Sequence, residues 1–178
     1  MRLFVSINFN GQTLSELVGI TDKLRAYSQS GNFSRKENLH LTLAFLGELS
    51  MRECTSAEQA MSKLFFRPFT IAFEGFGSFG RDREKLYWVG LKKNSELRML
   101  HSSLVKKLSD NGIFTDSKPF CPHITIGRQV LMPGDFSEAS FGEQLSVTSA
   151  DVEKISLMLS ERVGGKLTYT EIFAVSSS

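Results

Sequence analysis

The chain has 178 residues, of which 41% are hydrophobic and 22% are charged, and 21 Lys and Arg residues against 19 Asp and Glu residues give it a formal net charge of +2. A chain of this length buries roughly 70% of its unfolded surface in one compact core, so it needs neither disulfide bonds nor a metal ion to fold. The balanced charge excludes a protein that coats nucleic acid through its overall charge, although it permits a local basic cleft.

The two cysteines and the N-terminal segment indicate the compartment. Cys54 and Cys121 lie far apart and form no C-x-x-C pair, which argues against a disulfide framework and against a zinc knuckle. The first residues lack the apolar central region of a signal peptide, and no segment approaches the roughly 20 apolar residues of a membrane-spanning helix. We therefore expect a soluble, monomeric protein of the cytoplasm that makes no membrane contact.

Hydrophobic periodicity predicts alternating strands and helices in the first half of the chain. Thr13 and Glu16 are spaced as a capping box at the start of the first helix, and Pro68 ends the second helix. The predicted elements are a strand at 3–9, a helix at 13–27, a strand at 39–46 and a helix at 51–66.

The second half is predicted to be richer in strands. Residues 75–80 satisfy the pattern G-x-G-x-x-G, but a strand follows them instead of the helix that a dinucleotide site requires, so we predict a hairpin turn. The predicted elements are strands at 69–76, 85–91, 123–130, 144–148, 154–160 and 166–173, and a helix at 95–109.

The order of these elements predicts the fold class α+β, with hairpins instead of a regular βαβ alternation. In each half of the chain, a helix leads into a strand that begins with a histidine, at His40 and at His123. We therefore expect one domain over residues 1–178, built from two halves that arose by internal duplication.

Two similar tetrapeptides contain the candidate catalytic residues. The sequence H-L-T-L begins at His40 and H-I-T-I begins at His123, 83 residues later, and these motifs hold two of the three histidines in the chain. Side chains alternate across a strand, so each motif presents one imidazole and one hydroxyl on one face and buries aliphatic groups on the other.

Such a pair suits phosphodiester chemistry without a metal ion. An imidazole with an unperturbed pKa of about 6.5 acts as base or acid at neutral pH, so one histidine can activate water while the other protonates the departing oxygen. The hydroxyls of Thr42 and Thr125 can donate hydrogen bonds to the anionic oxygens of the phosphate. The sequence has no H-E-x-x-H motif or carboxylate-rich loop, and we expect no cofactor.

With these motifs, the sequence resembles the two-histidine phosphoesterase superfamily, and within it the RNA 2′,3′-cyclic phosphodiesterases, also called 2′-5′ RNA ligases. The motif E-N-L-H-L-T-L-A-F-L-G at 37–47 closely matches the first motif of the family, and P-H-I-T-I-G-R at 122–128 matches the second. Similar segments are found at 1–7, 87–90 and 157–160, so the resemblance covers nearly the whole chain.

The resemblance implies a bilobal fold in which two antiparallel sheets, backed by helices and related by a pseudo-twofold axis, surround a central cleft. It also implies that His40 is the proton donor to the leaving 3′ oxygen and that His123 is the proton acceptor that activates water. The product would be an RNA 2′-phosphate end, and the reverse reaction would join ends through a 2′-5′ bond. Spacing in the sequence does not by itself assign the acid and the base.

Several further residues are candidates for contact with the substrate. Regular alternation places Arg128 on the face opposite His123, so its contact with the phosphate requires a bulge or strand end near Gly127. Ser160 either lines the cleft or ends a strand, and Arg81, Arg83 and Lys85 form a basic turn. The candidates for stacking on a base are Phe4, Phe9, Phe45 and Phe120.

Two other functions are compatible with the motifs. One is a phosphodiesterase that acts on a small cyclic phosphate or on a short 2′-5′ oligonucleotide. The other is a non-catalytic protein that binds RNA ends, against which the presence of both histidines and both threonines argues, because binding alone requires no titratable pair.

Overall fold

The computed structural model describes residues 1–116, 118–146 and 149–178. These residues contain four α-helices: α1 (Gly11–Tyr27), α2 (Met51–Ser62), α3 (Ser95–Asp110) and α4 (Glu138–Glu143). They also contain nine strands: β1 (Arg2–Asn8), β2 (Ser30–Phe33), β3 (His40–Glu48), β4 (Phe69–Phe79), β5 (Glu84–Leu91), β6 (His123–Leu131), β7 (Ser149–Val152), β8 (Lys154–Val163) and β9 (Lys166–Ser176).

The strands pair antiparallel in the order β7-β4-β5-β6-β3-β1-β8-β9, and β2 pairs with the free side of part of β6. Helix α1 contacts β6, and helix α3 contacts β3. The fold class α+β with antiparallel sheets backed by helices is therefore confirmed. The strands of the two halves follow one continuous path, because β3 and β6 pair with each other at its centre.

The two motif strands meet at the middle of this path. Leu41 of β3 pairs with Ile124 of β6, and both side chains are fully buried. These residues hold the same position in H-L-T-L and H-I-T-I, so the antiparallel pairing relates the two motifs by a local twofold rotation. The origin of the halves by duplication stays a prediction, which this arrangement supports.

Helix α1 begins earlier than predicted and does not use the predicted capping box. It starts at Gly11, with Asn10 as its N-cap residue. The Thr13 hydroxyl donates instead to the carbonyl of Ser149, and Glu16 accepts a hydrogen bond from the Gln12 side chain. A complete capping box is found in α2, where Ser50 and Glu53 bond to each other's backbone N–H groups.

Other elements also differ from the prediction. Helix α2 ends at Ser62, before Pro68 could end it, and residues 64–68 form neither helix nor strand. In the segment predicted as a strand at 144–148, residues 144–146 follow α4 without forming a strand, and residues 147–148 lie outside the described residues. The short elements β2, α4 and β7 were not predicted.

The glycine-rich segment belongs to a hairpin, as predicted, but it forms one strand of the hairpin instead of its turn, which lies at residues 80–83. Residues 75–79 belong to β4, which pairs with β5 through Gly77 and Trp88, so no helix follows that could bind a pyrophosphate. None of the helices in the described ranges combines the length and the apolar character needed to cross a bilayer.

Candidate active site

His40 is held at the first residue of β3 by its own chain. Its Nδ1 lies 2.7 Å from the carbonyl oxygen of Asn38, and its Nε2 lies 3.0 Å from Oγ1 of Thr42. A carbonyl only accepts hydrogen bonds, so Nδ1 carries a proton and neutral His40 has its free electron pair on Nε2. The short 3-10 helix Lys36–Asn38 therefore determines which nitrogen can exchange protons.

His123 is held in the same way at the first residue of β6. Its Nδ1 lies 2.7 Å from the carbonyl oxygen of Cys121, two residues upstream, as Asn38 is two residues upstream of His40. The same tautomer follows, with Nε2 of the neutral ring available to take a proton. The two imidazoles are thus prepared identically by equivalent backbone contacts.

The register of β3 and β6 brings the two motifs together. Continuing the antiparallel pairing of Leu41 with Ile124 by one residue in each direction places His40 across from Thr125, and Thr42 across from His123. All four of these side chains are half-buried, whereas Leu41 and Ile124 are fully buried on the opposite face. The predicted histidine and threonine pairs therefore share one face of the central strand pair.

Each histidine lies between two aromatic rings. Tyr169 contacts His40 edge-on, with ring centroids 5.2 Å apart and an interplanar angle of 88°, and Phe4 is tilted against it at 4.8 Å. Phe79 contacts His123 edge-on at 5.1 Å and 83°, and Trp88 is tilted against it at 6.3 Å. The aromatic surroundings of the two imidazoles thus repeat the symmetry of the strands.

A cavity of about 300 Å³ opens beside His40. Its wall combines polar groups expected to bind a phosphate with aromatic rings, and it includes Phe4, His40, Thr42, Phe45, Arg128 and Tyr169. The remainder of the wall consists of Arg2, Ser160 and Leu167. His123 and Thr125 lie on the neighbouring strand and are not part of this wall.

Arg128 reaches the cavity because β6 is irregular. The pairing of β5 with β6 shifts twice, once on each side of the Tyr87–Gly127 pair, and Gln129 has a left-handed backbone with φ 51°. These shifts are the bulges that regular alternation required before Arg128 could turn towards His40. The condition stated from the sequence is therefore met.

Burial and neighbouring positive charges lower the pKa of both histidines. Burial is the largest reason that the pKa of His40 falls from 6.5 to about 4; the Asn38 carbonyl opposes the fall, and the charges of Arg128 and His123 add to it. Burial also lowers the pKa of His123, opposed by the Cys121 carbonyl and strengthened by Arg128. The positive charge of Arg128 thus lowers the pKa of both imidazoles, as expected of a charge that lies near both.

The stacking candidates separate into two groups. Phe4 and Phe45 line the cavity, and the guanidinium of Arg2 lies 5.5 Å from the centre of the Phe45 ring. Phe9 packs against Phe73 in the core. Phe120 stacks on His101, with centroids 3.9 Å apart and planes 5° apart, so its near face is already covered.

Sequence reasoning missed several residues of the site. Leu167 and Tyr169 come from β9, and Phe79 and Trp88 come from the β4–β5 hairpin. No local pattern indicates them, because distant pairing of strands brings them to the histidines. Within the described ranges, no group of three or more His, Cys, Asp or Glu side chains is arranged to hold a metal ion.

The comparisons with known proteins agree with the geometry. The sequence profile of the 2′-5′ RNA ligase superfamily matches residues 14–164. An RNA 2′,3′-cyclic phosphodiesterase of Archaeoglobus fulgidus is 36% identical over 151 residues, which cover 80% of this chain and 85% of that protein. A protein of the same name from Thermotoga maritima is 32% identical over 136 residues, covering 75% of this chain and 72% of that protein.

Solved structures share the fold. The crystal structure of Escherichia coli LigT complexed with 3′-AMP superposes with a TM-score of 0.83 at 24% identity, covering 99% of this chain and 98% of that chain. The profile match extends over most of the chain and includes both histidine motifs. The fold, the motifs and the related sequences together show that the chain belongs to the 2′-5′ RNA ligase superfamily.

Proposed function

We propose that the protein hydrolyses RNA 2′,3′-cyclic phosphate ends to 2′-phosphate ends. The observation that carries this proposal is the pairing of Leu41 with Ile124, which places two imidazoles and two hydroxyls on one face of adjacent strands. Relatives named RNA 2′,3′-cyclic phosphodiesterase supply the substrate class. With a 5′-hydroxyl in place of water as the nucleophile, the same displacement joins RNA ends through a 2′-5′ bond.

His123 and His40 move the protons. His123 Nε2 accepts a proton from water as the water oxygen bonds to phosphorus, and protonated His40 gives a proton to the 3′ oxygen as its bond to phosphorus breaks. The products are a 2′-phosphate and a 3′-hydroxyl. In an in-line displacement, the attacking and leaving oxygens lie on opposite sides of phosphorus, which suits histidines on two neighbouring strands.

Thr42, Thr125 and Arg128 stabilise the phosphate. The two hydroxyls donate to its non-bridging oxygens, and the guanidinium of Arg128 adds a positive charge and further donors. Strand β3 and the bulged strand β6 set the backbone positions of these residues before the substrate binds, and donors placed in advance are effective in stabilising developing charge.

The negative charge of the bound substrate favours the protonated form of His40. With a pKa of about 4, His40 is neutral at pH 7 in the free protein. A bound phosphate is an anion, and an opposite charge close to an imidazole favours its protonated form. Binding of the cyclic phosphate therefore raises the pKa of His40 and converts it into the proton donor.

Product analysis tests the proposal directly. An RNA oligonucleotide with a 2′,3′-cyclic phosphate end is incubated with the protein, and the product ends are separated as 2′-phosphate or 3′-phosphate. We expect the 2′-phosphate, with the same rate in EDTA because no step uses a metal ion. A 3′-phosphate product, or binding without turnover, would contradict the proposal, and a rate that EDTA abolishes and metal restores would contradict the metal-independent mechanism.

The same assay separates the alternatives. Turnover of mononucleotide cyclic phosphates together with inactivity on the oligonucleotide identifies a phosphodiesterase for small cyclic phosphates. The monomeric state and the cytoplasmic location expected from the sequence stay predictions.

The pH profile of kcat/KM is expected to be bell-shaped with its maximum on the acid side of pH 6.5. The rate falls at low pH because His123 becomes protonated and cannot act as the base, and it falls at high pH because His40 loses the proton it must donate. Both pKa values lie below 6.5 in the free protein, that of His40 at about 4. The two apparent values belong to the coupled pair.

Initial rates at low substrate concentration between pH 3.5 and 9 measure this profile. The maximum of kcat is expected at higher pH than that of kcat/KM, because the bound anion raises both pKa values. A kcat/KM that rises steadily to pH 8, with chemistry as the slow step, is the result that rules out the pair as acid and base.

A further inference from the structure

Phe79 and Trp88 form an aromatic wall beside His123. This wall has no role in the proposed hydrolysis. In the proposed reaction, the ribose carries the leaving 3′ oxygen and therefore lies on the His40 side, where the cavity with Phe45 and Tyr169 is found. The nucleophile approaches from the His123 side. A water molecule needs room there, but it needs no stacking surface.

Phe79 offers such a surface. Its side chain is 39% exposed although its edge contacts His123, and its ring lies 5.3 Å from that of Trp88 at a tilt of 36°. Trp88 is held in place by two glycines: a Cβ atom at Gly77 would lie 2.6 Å from the Trp88 ring, and one at Gly90 would lie 3.1 Å from it. An indole that packs closely on two glycines thus lies beside an exposed phenyl ring next to the proposed base.

A positively charged cavity continues from this wall. Its volume is about 270 Å³, and it is bordered by Trp88, Lys92, Lys93, Arg98, Cys121 and Pro122. None of its three cationic side chains forms an ion pair with a carboxylate of the described residues. Glu74 also borders the cavity, which leaves an excess of positive charge.

We propose that the His123 side of the cleft binds a second nucleoside, with its base on Phe79 and the phosphate that follows it in the cavity of Lys92, Lys93 and Arg98. Aromatic rings that stack on bases, combined with cationic grooves that follow the backbone, are the means by which proteins bind single-stranded RNA. The inference rests on the proposed function, because it uses the same phosphate site and the same two histidines.

The second nucleoside places its 5′-hydroxyl where water would attack. His123 takes the proton of this hydroxyl, the 5′ oxygen bonds to phosphorus, the bond from phosphorus to the 3′ oxygen breaks, and His40 protonates that oxygen. The product is a 2′-5′ phosphodiester with a free 3′-hydroxyl. In the opposite direction the site cleaves a 2′-5′ bond and leaves a cyclic phosphate and a 5′-hydroxyl.

Assays with two substrates distinguish binding of the second nucleoside from hydrolysis of the cyclic phosphate. The first is an oligonucleotide with a 2′,3′-cyclic phosphate end, and the second is the same oligonucleotide extended by one 2′-5′-linked nucleotide that bears a 3′-phosphate. We expect Phe79→Ala to lower kcat/KM about 5- to 100-fold more on the second substrate than on the first, mainly through KM, as measured losses of base stacking indicate. Phe79→Tyr keeps the ring and restores most of the loss.

The cationic cavity has its own variant. Lys92→Ala combined with Lys93→Ala is expected to raise KM for the extended substrate and to reduce the dependence of that KM on salt concentration. Removing the 3′-phosphate from this substrate should abolish the difference between variant and wild type. Phe65→Ala is the matched aromatic control, because Phe65 follows α2 and is 70% exposed.

The outcomes distinguish the two proposals. A wild-type protein that hydrolyses the cyclic end but leaves the 2′-5′ bond intact overturns the inference alone. Inactivity on both substrates overturns the proposed function together with the inference. An equal loss on both substrates in Phe79→Ala also overturns the inference, because the ring then acts only as a support for His123.

Discussion

His123→Ala and His40→Ala are each expected to lower kcat on an RNA with a cyclic phosphate end by roughly 10²–10⁴-fold, the usual contribution of a positioned acid or base. Each imidazole is the first residue of its strand and is oriented by a backbone carbonyl, so its removal leaves the buried pair beneath it intact. Rates at saturating substrate and thermal unfolding of both variants measure the two effects separately.

The third histidine provides the control. His101 lies in α3, where it stacks on Phe120, and His101→Ala should retain nearly the full rate. If either motif variant turned over at a normal rate while folded, the proposed proton transfers would be wrong.

The same two variants assign the acid and the base. Because His40 is the proposed donor, His40→Ala should lose the decline of kcat/KM at high pH and keep the decline at low pH. His123→Ala should show the reverse. An exchange of these two patterns would leave the paired mechanism in place and exchange the roles of the histidines.

Arg128→Gln is expected to lower kcat by roughly 10²–10³-fold, in the range found when one donor to a developing negative charge is removed. It should also move the kcat/KM profile to higher pH. The charge of Arg128 lowers the pKa of both His40 and His123, so its removal lets both pKa values rise towards 6.5. Rate and pH profile thus report on the same side chain independently.

Arg128→Lys tests the two effects separately. A lysine keeps the positive charge, so the pH profile should stay close to that of the wild type, but it lacks the planar fork that can bind two phosphate oxygens. Arg52→Gln on the exposed side of α2 is the matched control for loss of charge. An Arg128→Gln variant with normal rate and unshifted profile would place the guanidinium outside the reaction.

The sequence predicts the centre of the site well because its signals are local. Alternation places His40 and Thr42 on one face of a strand and Leu41 on the other, and burial in the structure follows the same alternation. The two motifs match each other, so their pairing at the middle of the sheet agrees with the expected symmetry. The alternation of the strand and the chemistry of its residues therefore predict the same arrangement of side chains.

The residues around the two histidines could not be predicted from the sequence, because contacts between distant parts of the chain determine their positions. Tyr169 reaches His40 through the pairing of β9 with β8 and of β8 with β1, a chain of contacts that no window along the sequence contains. The turn of Arg128 depends on the register shift that leaves Ile126 as an extra residue between the Trp88–Thr125 and Tyr87–Gly127 pairs, and pairing with a distant strand determines where such a bulge forms. At Thr13, a long-range bond to Ser149 prevailed over the local cap.

The meeting of the halves at Leu41 and Ile124 also governs how the cleft can open. Both proposed proton carriers stand one residue away from this junction, and points next to a pivot move least when the two arms swing. A hinge motion of the halves would therefore widen the parts of the cleft far from this junction, while the gap between the imidazoles, and their contacts with Phe79 and Tyr169, changed little. Nucleosides could thus enter and leave without disturbing the alignment of the proton transfers.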